Sequence, residues 1–249
     1  MHILVDFKIW LKDIQHLSSI DFRWLLIWIL IYLSFILLDI LMPHFPGTAL
    51  LKYVGIFLCV IYAYQKYHSD SMLILALLFT LLADTILVWT PYEVAGVYVF
   101  CIAQLLHFLR LTNTKPEIFA AYAAAISLFF AFAIVQGLYP IYAICIVYAM
   151  LLIGNFVLSR RRYSIQKKDY RARCCYYAFI TFLCCDICVA TRHLMFDGLI
   201  PMQNLELVAF LVWVFYYPSQ VLMANSSTLE MSHRPHKDSR HVAKTHPTG

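Results

Sequence analysis

Long apolar runs, broken by short polar stretches, follow one another along most of the chain. About 20 apolar residues in a helix are needed to cross the hydrocarbon core of a bilayer, which is about 30 Å thick. Several of the breaks contain Pro or Gly, which are typical of turns between helices. The pattern predicts eight membrane-spanning helices, at residues 24–42, 48–64, 71–89, 94–109, 118–136, 139–158, 174–190 and 205–224.

The composition agrees with a membrane protein. Of the 249 residues, 62% are apolar and 13% charged, and the mean hydropathy is +0.73. Soluble domains contain far more charge. Eight spans with short connections leave no room for a separate soluble domain, so we predict an all-α, polytopic transmembrane helical bundle. Its substrate is then something that the membrane delivers, either a lipid or a transported solute.

The positions of Lys and Arg predict the orientation in the membrane, because basic residues collect in cytoplasmic loops. Seventeen of the 19 fall on the side of the two chain ends, whereas Arg192 falls on the other side and Lys52 lies within the second span. We expect an integral protein of the plasma membrane with both termini in the cytoplasm. The net charge of +5 then reflects topology, and no nucleic-acid partner is expected.

The ends of the chain differ from the membrane region. Residues 1–23 are predicted to be a cytoplasmic segment at the membrane surface, because Ile3, Phe7, Trp10 and Ile14 share one helical face. Residues 24–224 form the predicted membrane domain. Residues 225–249 are polar and contain four histidines, so they are predicted to be a disordered cytoplasmic tail.

Two aspartates lie inside predicted spans, where a charge costs about 2.5 to 3.5 kcal/mol on insertion scales and is a functional hypothesis by default. Asp84 lies in the third span and Asp186 in the seventh. Each is about 13 residues from the cytoplasmic end of its span, or roughly 20 Å at about 1.5 Å per residue. Each is also in the third helix of a set of four, which favours two parallel four-helix pseudo-repeats.

Two carboxyls that face each other at low dielectric cannot both ionise easily, so one holds its proton while the other stays charged. Such a pair can act as a general acid and a general base. The alternative is two unrelated buried aspartates, each hydrogen-bonded to a neighbouring helix, and the spacing favours neither reading. The polar candidates on the helices that follow the two acids are Gln104 and His107 in the fourth span and Tyr216, Tyr217 and Gln220 in the eighth.

Cys184 and Cys188 stand one helical turn apart on either side of Asp186. This spacing is compatible with part of a metal site. Cysteines in apolar spans are more often small packing residues, and that reading is favoured here. We therefore predict no metal and no cofactor.

These residues resemble those of the lysoplasmalogenase family, also called the YhhN family, of eight-span membrane proteins. The resemblance rests on residues 76–84, Gly96, Phe100, Ala103, Gln104, Asp186, Trp213, Tyr216, Tyr217 and Gln220. In the family the first aspartate is usually preceded by Gly, here Ala83, and the second often by Ser, here Cys185. The position of Gln104 is often His. A small residue still precedes each acid, so close helix packing is retained.

The resemblance implies hydrolysis of the vinyl ether bond of a lysoplasmalogen, which gives a fatty aldehyde and a glycerophospho-alcohol such as glycerophosphoethanolamine. That reaction needs an acid, a nearby anion and a positioned water. Asp84 and Asp186 are then the expected acid and base, and the residues that bind the lipid or orient water are Gln104, His107, Tyr216, Tyr217 and Gln220. The expected partners are a lysophospholipid and the bilayer, and the pattern specifies no oligomeric state.

Other functions use the same kind of residues. A transporter or lipid flippase also has polar groups near the midplane, but it would have Gly or Pro breaks inside its spans. The spans that contain the two acids have none. A zinc amidase needs several intramembrane histidines, whereas His107 is alone inside a span, and a serine hydrolase would have a Gly-x-Ser-x-Gly turn. A packing protein would be indifferent to substitution of either aspartate.

Overall fold

The computed structural model describes residues 22–42, 45–112, 124, 127–129, 131–137 and 139–228. These residues are mostly helical and include no strand. The chain is an integral membrane protein, because seven of its helices are long and apolar enough to cross a bilayer. They are α1 (Phe22–Leu41), α2 (Pro46–Tyr67), α3 (Ser71–Trp89), α4 (Glu93–Thr112), α5 (Pro140–Ile165), α6 (Tyr170–Phe196) and α7 (Leu205–Ala224).

Seven of the eight predicted spans coincide with these helices, and the prediction of a polytopic helical bundle is confirmed. The predicted spans at 71–89 and 205–224 have the same bounds as α3 and α7. About half of the predicted fifth span, 118–136, lies outside the described residues, and its described residues at 124, 127–129 and 131–135 are helical. The predicted surface segment 1–23 lies almost entirely outside them.

Polar side chains cap two of the helices at their N-termini. Asp70 precedes α3, and its Oδ1 accepts a hydrogen bond of 3.1 Å from the backbone nitrogen of Leu73. Asp169 precedes α6 and accepts a bond of 3.0 Å from the backbone nitrogen of Arg171. The first N–H groups of a helix have no partner within it, so such acceptors define where these helices begin.

The connections define two ends of the bundle. We call the end where α1 ends and α2 begins the distal end, and the end where α2 ends and α3 begins the proximal end. Helices α4 and α5 run parallel, since Cys101 contacts Ile144 while Gln104, one turn later, is bonded by Asn155 further along α5. The chain therefore returns to the distal end between α4 and α5.

Helix α7 lies at the centre of the bundle. It packs against α1, α2, α3 and α6. By contrast, α1 is peripheral, with Leu26, Leu30 and Leu37 exposed on its outer face and Trp28 and Phe35 buried against its neighbours. Apolar side chains are compatible with lipid at such a surface. The second half of α7, from Tyr216 onwards, is consequently mostly buried among other helices.

The packed part of the chain extends past α7 at the proximal end. The Oδ2 of Asp70 accepts hydrogen bonds from the Ser227 hydroxyl over 2.9 Å and from the backbone nitrogen of Thr228 over 3.0 Å. Arg110 donates to the Ser226 hydroxyl over 3.0 Å. Residues 225–228, the first four of the predicted polar tail, thus pack on the bundle.

Candidate functional site

Asp84 of α3 is hydrogen-bonded to a tyrosine of α7. The Tyr216 hydroxyl donates to the Oδ2 of Asp84 over 2.6 Å. Only 8% of Asp84 and 5% of Tyr216 is exposed. The preceding residue, Ala83, is fully buried, and its small side chain allows neighbouring helices to approach closely.

Asp186 of α6 has the same kind of partner, supplied by α5. The Tyr148 hydroxyl donates to the Oδ2 of Asp186 over 2.6 Å. Asp186 is partly buried, so it is the more accessible of the two acids. Tyr148 is not among the residues predicted from the sequence, because a tyrosine within a span ordinarily indicates packing.

The two tyrosine–aspartate pairs lie in one region of the bundle. The ring centroid of Phe182 is 5.6 Å from that of Tyr216. The ring centroid of Phe182 is also 6.3 Å from that of Phe100, which in turn is 6.0 Å from that of Tyr148. Among the described residues, no hydrogen bond joins the two carboxyls, and none engages the Oδ1 of either.

Gln104 and His107 are both buried on α4. Asn155 of α5 donates to the Gln104 side-chain oxygen over 3.0 Å and to its backbone oxygen over 2.8 Å. His107 packs edge-on against Phe179. In the described part of the chain, the Nδ1 of His107 and the Oδ1 of Asn155 have no hydrogen-bond partner. Buried polar atoms are usually satisfied, so each of these two atoms has an unused capacity for a hydrogen bond.

The structure separates Tyr217 from Tyr216. The Tyr217 ring stacks on Tyr32 of α1 with 5.6 Å between centroids, and its hydroxyl lies 3.4 Å from the backbone oxygen of Trp28. Consecutive helical residues point about 100° apart, since there are about 3.6 residues per turn. Tyr217 therefore faces α1, while Tyr216 faces Asp84. Gln220 is buried and donates to the Ser219 hydroxyl over 3.3 Å.

An ion pair lies close to these residues towards the distal end. The Lys52 Nζ of α2 is 2.6 Å from the Oδ2 of Asp39 at the end of α1. Lys52 is 7% exposed, and its Nζ lies 5.0 Å from the centroid of the Trp213 ring. Neither charged residue is among the predicted site residues, although a lysine inside a predicted span was a signal of the same kind as Asp84 and Asp186.

Tyrosines on two corresponding helices contact either an acid or the residue that follows one. The Tyr53 hydroxyl lies 3.1 Å from the Thr85 hydroxyl, next to Asp84, just as the Tyr148 hydroxyl bonds Asp186. Both tyrosines are on the second helix of a predicted set of four, near an acid on the third. The parallel is compatible with pseudo-repeats, which stay a prediction.

A cavity of about 740 Å³ lies beside the start of α4. Its lining is mainly apolar and includes Tyr92, Val94, Tyr98 and Ile141, together with Glu93. None of the predicted site residues lines it. In the ranges that the structure describes, no three His, Cys, Asp or Glu side chains cluster as metal ligands, and this applies to Cys184 and Cys188 too.

A comparison with protein-family models matches residues 47–227 to the YhhN family. This stretch covers most of the chain. The chain belongs to the YhhN family. The YhhN match contains both aspartates and both of the tyrosines that bond them, whereas Asp39 lies before it. Membership of this family supports, at the level of the family, a lysoplasmalogenase-like membrane protein. A search of curated proteins and a search of solved structures each gave no match.

Proposed function

We propose that this protein hydrolyses the vinyl ether bond of lysoplasmalogens, with Asp84 and Asp186 as the acid and base. The products are a fatty aldehyde and a glycerophospho-alcohol. The scheme uses no metal and no cofactor. The observation that supports it best is the pair of 2.6 Å bonds from Tyr216 to Asp84 and from Tyr148 to Asp186, in one region of a YhhN bundle.

The reaction needs two proton-transfer groups at one bond. One carboxyl donates its proton to the alkenyl carbon that is not bonded to oxygen, which leaves an oxocarbenium ion. The other, as a carboxylate, takes a proton from water while the water oxygen bonds to the carbon next to the ether oxygen. The hemiacetal then collapses: the ether oxygen accepts a proton, its bond to that carbon breaks, and the hemiacetal hydroxyl loses its proton. Both carboxyls return to their starting states.

The geometry suits these roles. Each tyrosine engages the Oδ2 of its aspartate, which fixes the carboxyl and leaves Oδ1 for the substrate or water. The surrounding helices exclude bulk water, so an anion beside the oxocarbenium ion stabilises it more than it would in water. A single-chain lipid can approach from the bilayer, with its tail among the apolar helices.

The remaining predicted residues have supporting parts in this proposal. His107, with an unbonded Nδ1, and Gln220 are assigned to orienting water, and Gln104 is held in place by Asn155. Tyr217 faces α1, so we assign it an indirect part through the packing of α7 on that helix. We also propose a plasma-membrane location. The distribution of Lys and Arg supports placing both termini in the cytoplasm.

The test is mass spectrometry of purified protein incubated with alkenyl and with acyl lysophosphatidylethanolamine. We expect aldehyde from the alkenyl lipid, no cleavage of the acyl lipid, and loss of turnover in Asp84→Asn and Asp186→Asn. Asp197→Asn is the matched control, because this aspartate is exposed and accepts a tyrosine hydrogen bond away from the candidate pair. Turnover that survives both core substitutions, or a folded wild type that cleaves neither lipid, would contradict the proposal and favour transport.

A further inference from the structure

We propose that Asp39 and Lys52 form the subsite that selects a zwitterionic phospholipid headgroup. In this arrangement the Lys52 ammonium binds the phosphate and the Asp39 carboxylate binds the headgroup ammonium. The assignment rests on the proposed function for its substrate, a lysophospholipid. It adds the residues that distinguish one headgroup from another.

The first observation is the ion pair itself, which lies within the helical bundle. Its atoms are 2.6 Å apart and Lys52 is buried. A buried ion pair seldom stabilises a fold more than apolar residues of the same size. Aromatic contacts already join α1 to α2, among them Trp28 against Tyr62 with 4.7 Å between ring centroids. The pair is therefore not the only contact between these helices, and ionisable residues in a membrane usually have a function.

The second observation is the position of the pair beside the candidate catalytic residues. The Lys52 Nζ lies over the Trp213 ring, and Trp213 packs edge-on against Tyr216 with 5.6 Å between centroids. Independently, Tyr53, which follows Lys52, contacts Thr85, which follows Asp84. Two contacts thus place the lysine near the depth of Asp84.

The length of the substrate limits where its phosphate can lie. In a lysophospholipid the glycerol joins the ether oxygen to the phosphate, a chain of a few single bonds that spans roughly 6 Å at about 1.5 Å per bond. A lipid whose vinyl ether lies at Asp84 must therefore place its phosphate within a short distance of that acid. Arg110 is also buried, but it lies at the proximal end of α4, where it bonds Ser226 and holds the chain after α7.

The third argument is charge. A zwitterionic headgroup brings one negative and one positive group. When it binds, Lys52 can pair with its phosphate and Asp39 with its ammonium, so every charge stays paired. The Trp213 ring offers an additional face for an ammonium group. An anionic headgroup would pair with Lys52 but leave the Asp39 carboxylate without a partner in a low-dielectric site, which is unfavourable. The subsite therefore discriminates against anionic and headgroup-free lipids.

The test uses lipids that cannot be cleaved, so binding is measured apart from turnover. The probes are saturated 1-O-alkyl glycerophosphoethanolamine, 1-O-alkyl glycerophosphate and 1-O-alkyl glycerol, with the full chain in nanodiscs and native mass spectrometry as the readout. We expect the wild type to bind the ethanolamine lipid about tenfold more tightly than either other probe. Asp39→Asn should remove the preference over the phosphate lipid, and Lys52→Gln should weaken binding of both phosphate-containing lipids.

The double variant Asp39→Asn with Lys52→Gln separates recognition from folding, because it leaves no unpaired charge. If the pair only held α1 to α2, the double variant would recover the wild-type headgroup preference. We expect it instead to bind all three probes alike. A retained preference in the double variant, or no preference in the wild type, would overturn the inference.

Failure of the inference is distinguishable from failure of the proposed function. Headgroup binding that depends on Asp39, in a protein that never releases aldehyde from alkenyl lipid, would refute the hydrolase and leave the subsite intact. Hydrolysis that depends on Asp84 with no effect of headgroup would refute the subsite alone.

Discussion

The hydroxyl of Tyr148 lies 2.6 Å from the Oδ2 of Asp186, the same distance as between Tyr216 and Asp84. A phenol that donates to a carboxylate fixes its orientation and stabilises its charged form. The two tyrosines come from different helices, α5 and α7, so the similarity does not follow from a short sequence motif. It makes each tyrosine a positioning residue for its acid.

Replacing either tyrosine by phenylalanine should reduce turnover more than binding. A hydrogen bond to a charged group contributes about 1.5 to 3 kcal/mol, so we expect kcat to fall by roughly 10- to 100-fold for Tyr148→Phe or Tyr216→Phe, with KM little changed. Steady-state assays on alkenyl lysolipid measure both constants. Tyr142→Phe is the control, since Tyr142 donates to exposed Asp197. Equal losses in all three variants would argue against a positioning role.

Isotopic labelling should show where the proton goes. If a carboxyl protonates the alkenyl carbon, hydrolysis in D₂O places one deuterium on carbon 2 of the aldehyde, and reduction to the alcohol during the assay preserves it for mass spectrometry. Water attack at carbon 1 likewise introduces oxygen from solvent. Aldehyde without deuterium at carbon 2 would exclude protonation on carbon.

Asn155 should be important for stability as well as for the site. Asn155→Leu removes both hydrogen bonds that the Asn155 amide nitrogen donates to buried Gln104. A buried polar group left without a partner costs about 1 to 3 kcal/mol. We expect a lower unfolding temperature in detergent. Ser159→Ala, on the same helix, removes a hydroxyl that bonds the backbone oxygen of Phe156 within its own turn, and should have a smaller effect. Similar losses in the two variants would contradict this account.

Asp70 should stabilise the chain that follows α7. Asp70→Asn keeps an oxygen that can cap α3, but it weakens the bonds from Ser227 and Thr228. Loss of hydrogen bonds to a charged acceptor predicts a destabilisation of about 1.5 to 3 kcal/mol. Asp169→Asn alters the corresponding cap of α6 and should cost at most about 1 kcal/mol. Thermal unfolding compares the two, and a reversed order would refute the prediction.

Hydropathy predicts the bounds of those helices that end where their apolar segment ends. It gave the bounds of α3 and α7, but it ended the predicted seventh span at 190, whereas α6 continues to Phe196. The predicted sixth span ended at 158, before Arg160, although α5 continues to Ile165. Charged residues lower the mean hydropathy of a segment without breaking its helix. Hydropathy therefore locates the part of a helix that lies in the membrane and not the residue at which the helix ends.

The candidate site was predictable only in part. Asp84 and Asp186 were predictable because a charged residue inside a membrane span is energetically costly. That cost gives no information on which helices face each other. Tyr148 and Asn155 became evident only once α5 was placed beside α4 and α6. Tyr217 is a predicted site residue that the structure places elsewhere. The sequence does not distinguish it from Tyr216, and only the rotation of α7 about its axis separates the two side chains.

The bond between Asp84 and Tyr216 joins residues 132 positions apart, with α7 the last described helix of the chain. During synthesis, α3 therefore enters the bilayer long before its tyrosine leaves the ribosome. Until then the Asp84 carboxyl lies within the membrane without the hydroxyl that donates to it in the folded protein. A chain that terminates before α7 therefore keeps a carboxyl without its native donor, which is energetically costly inside a membrane.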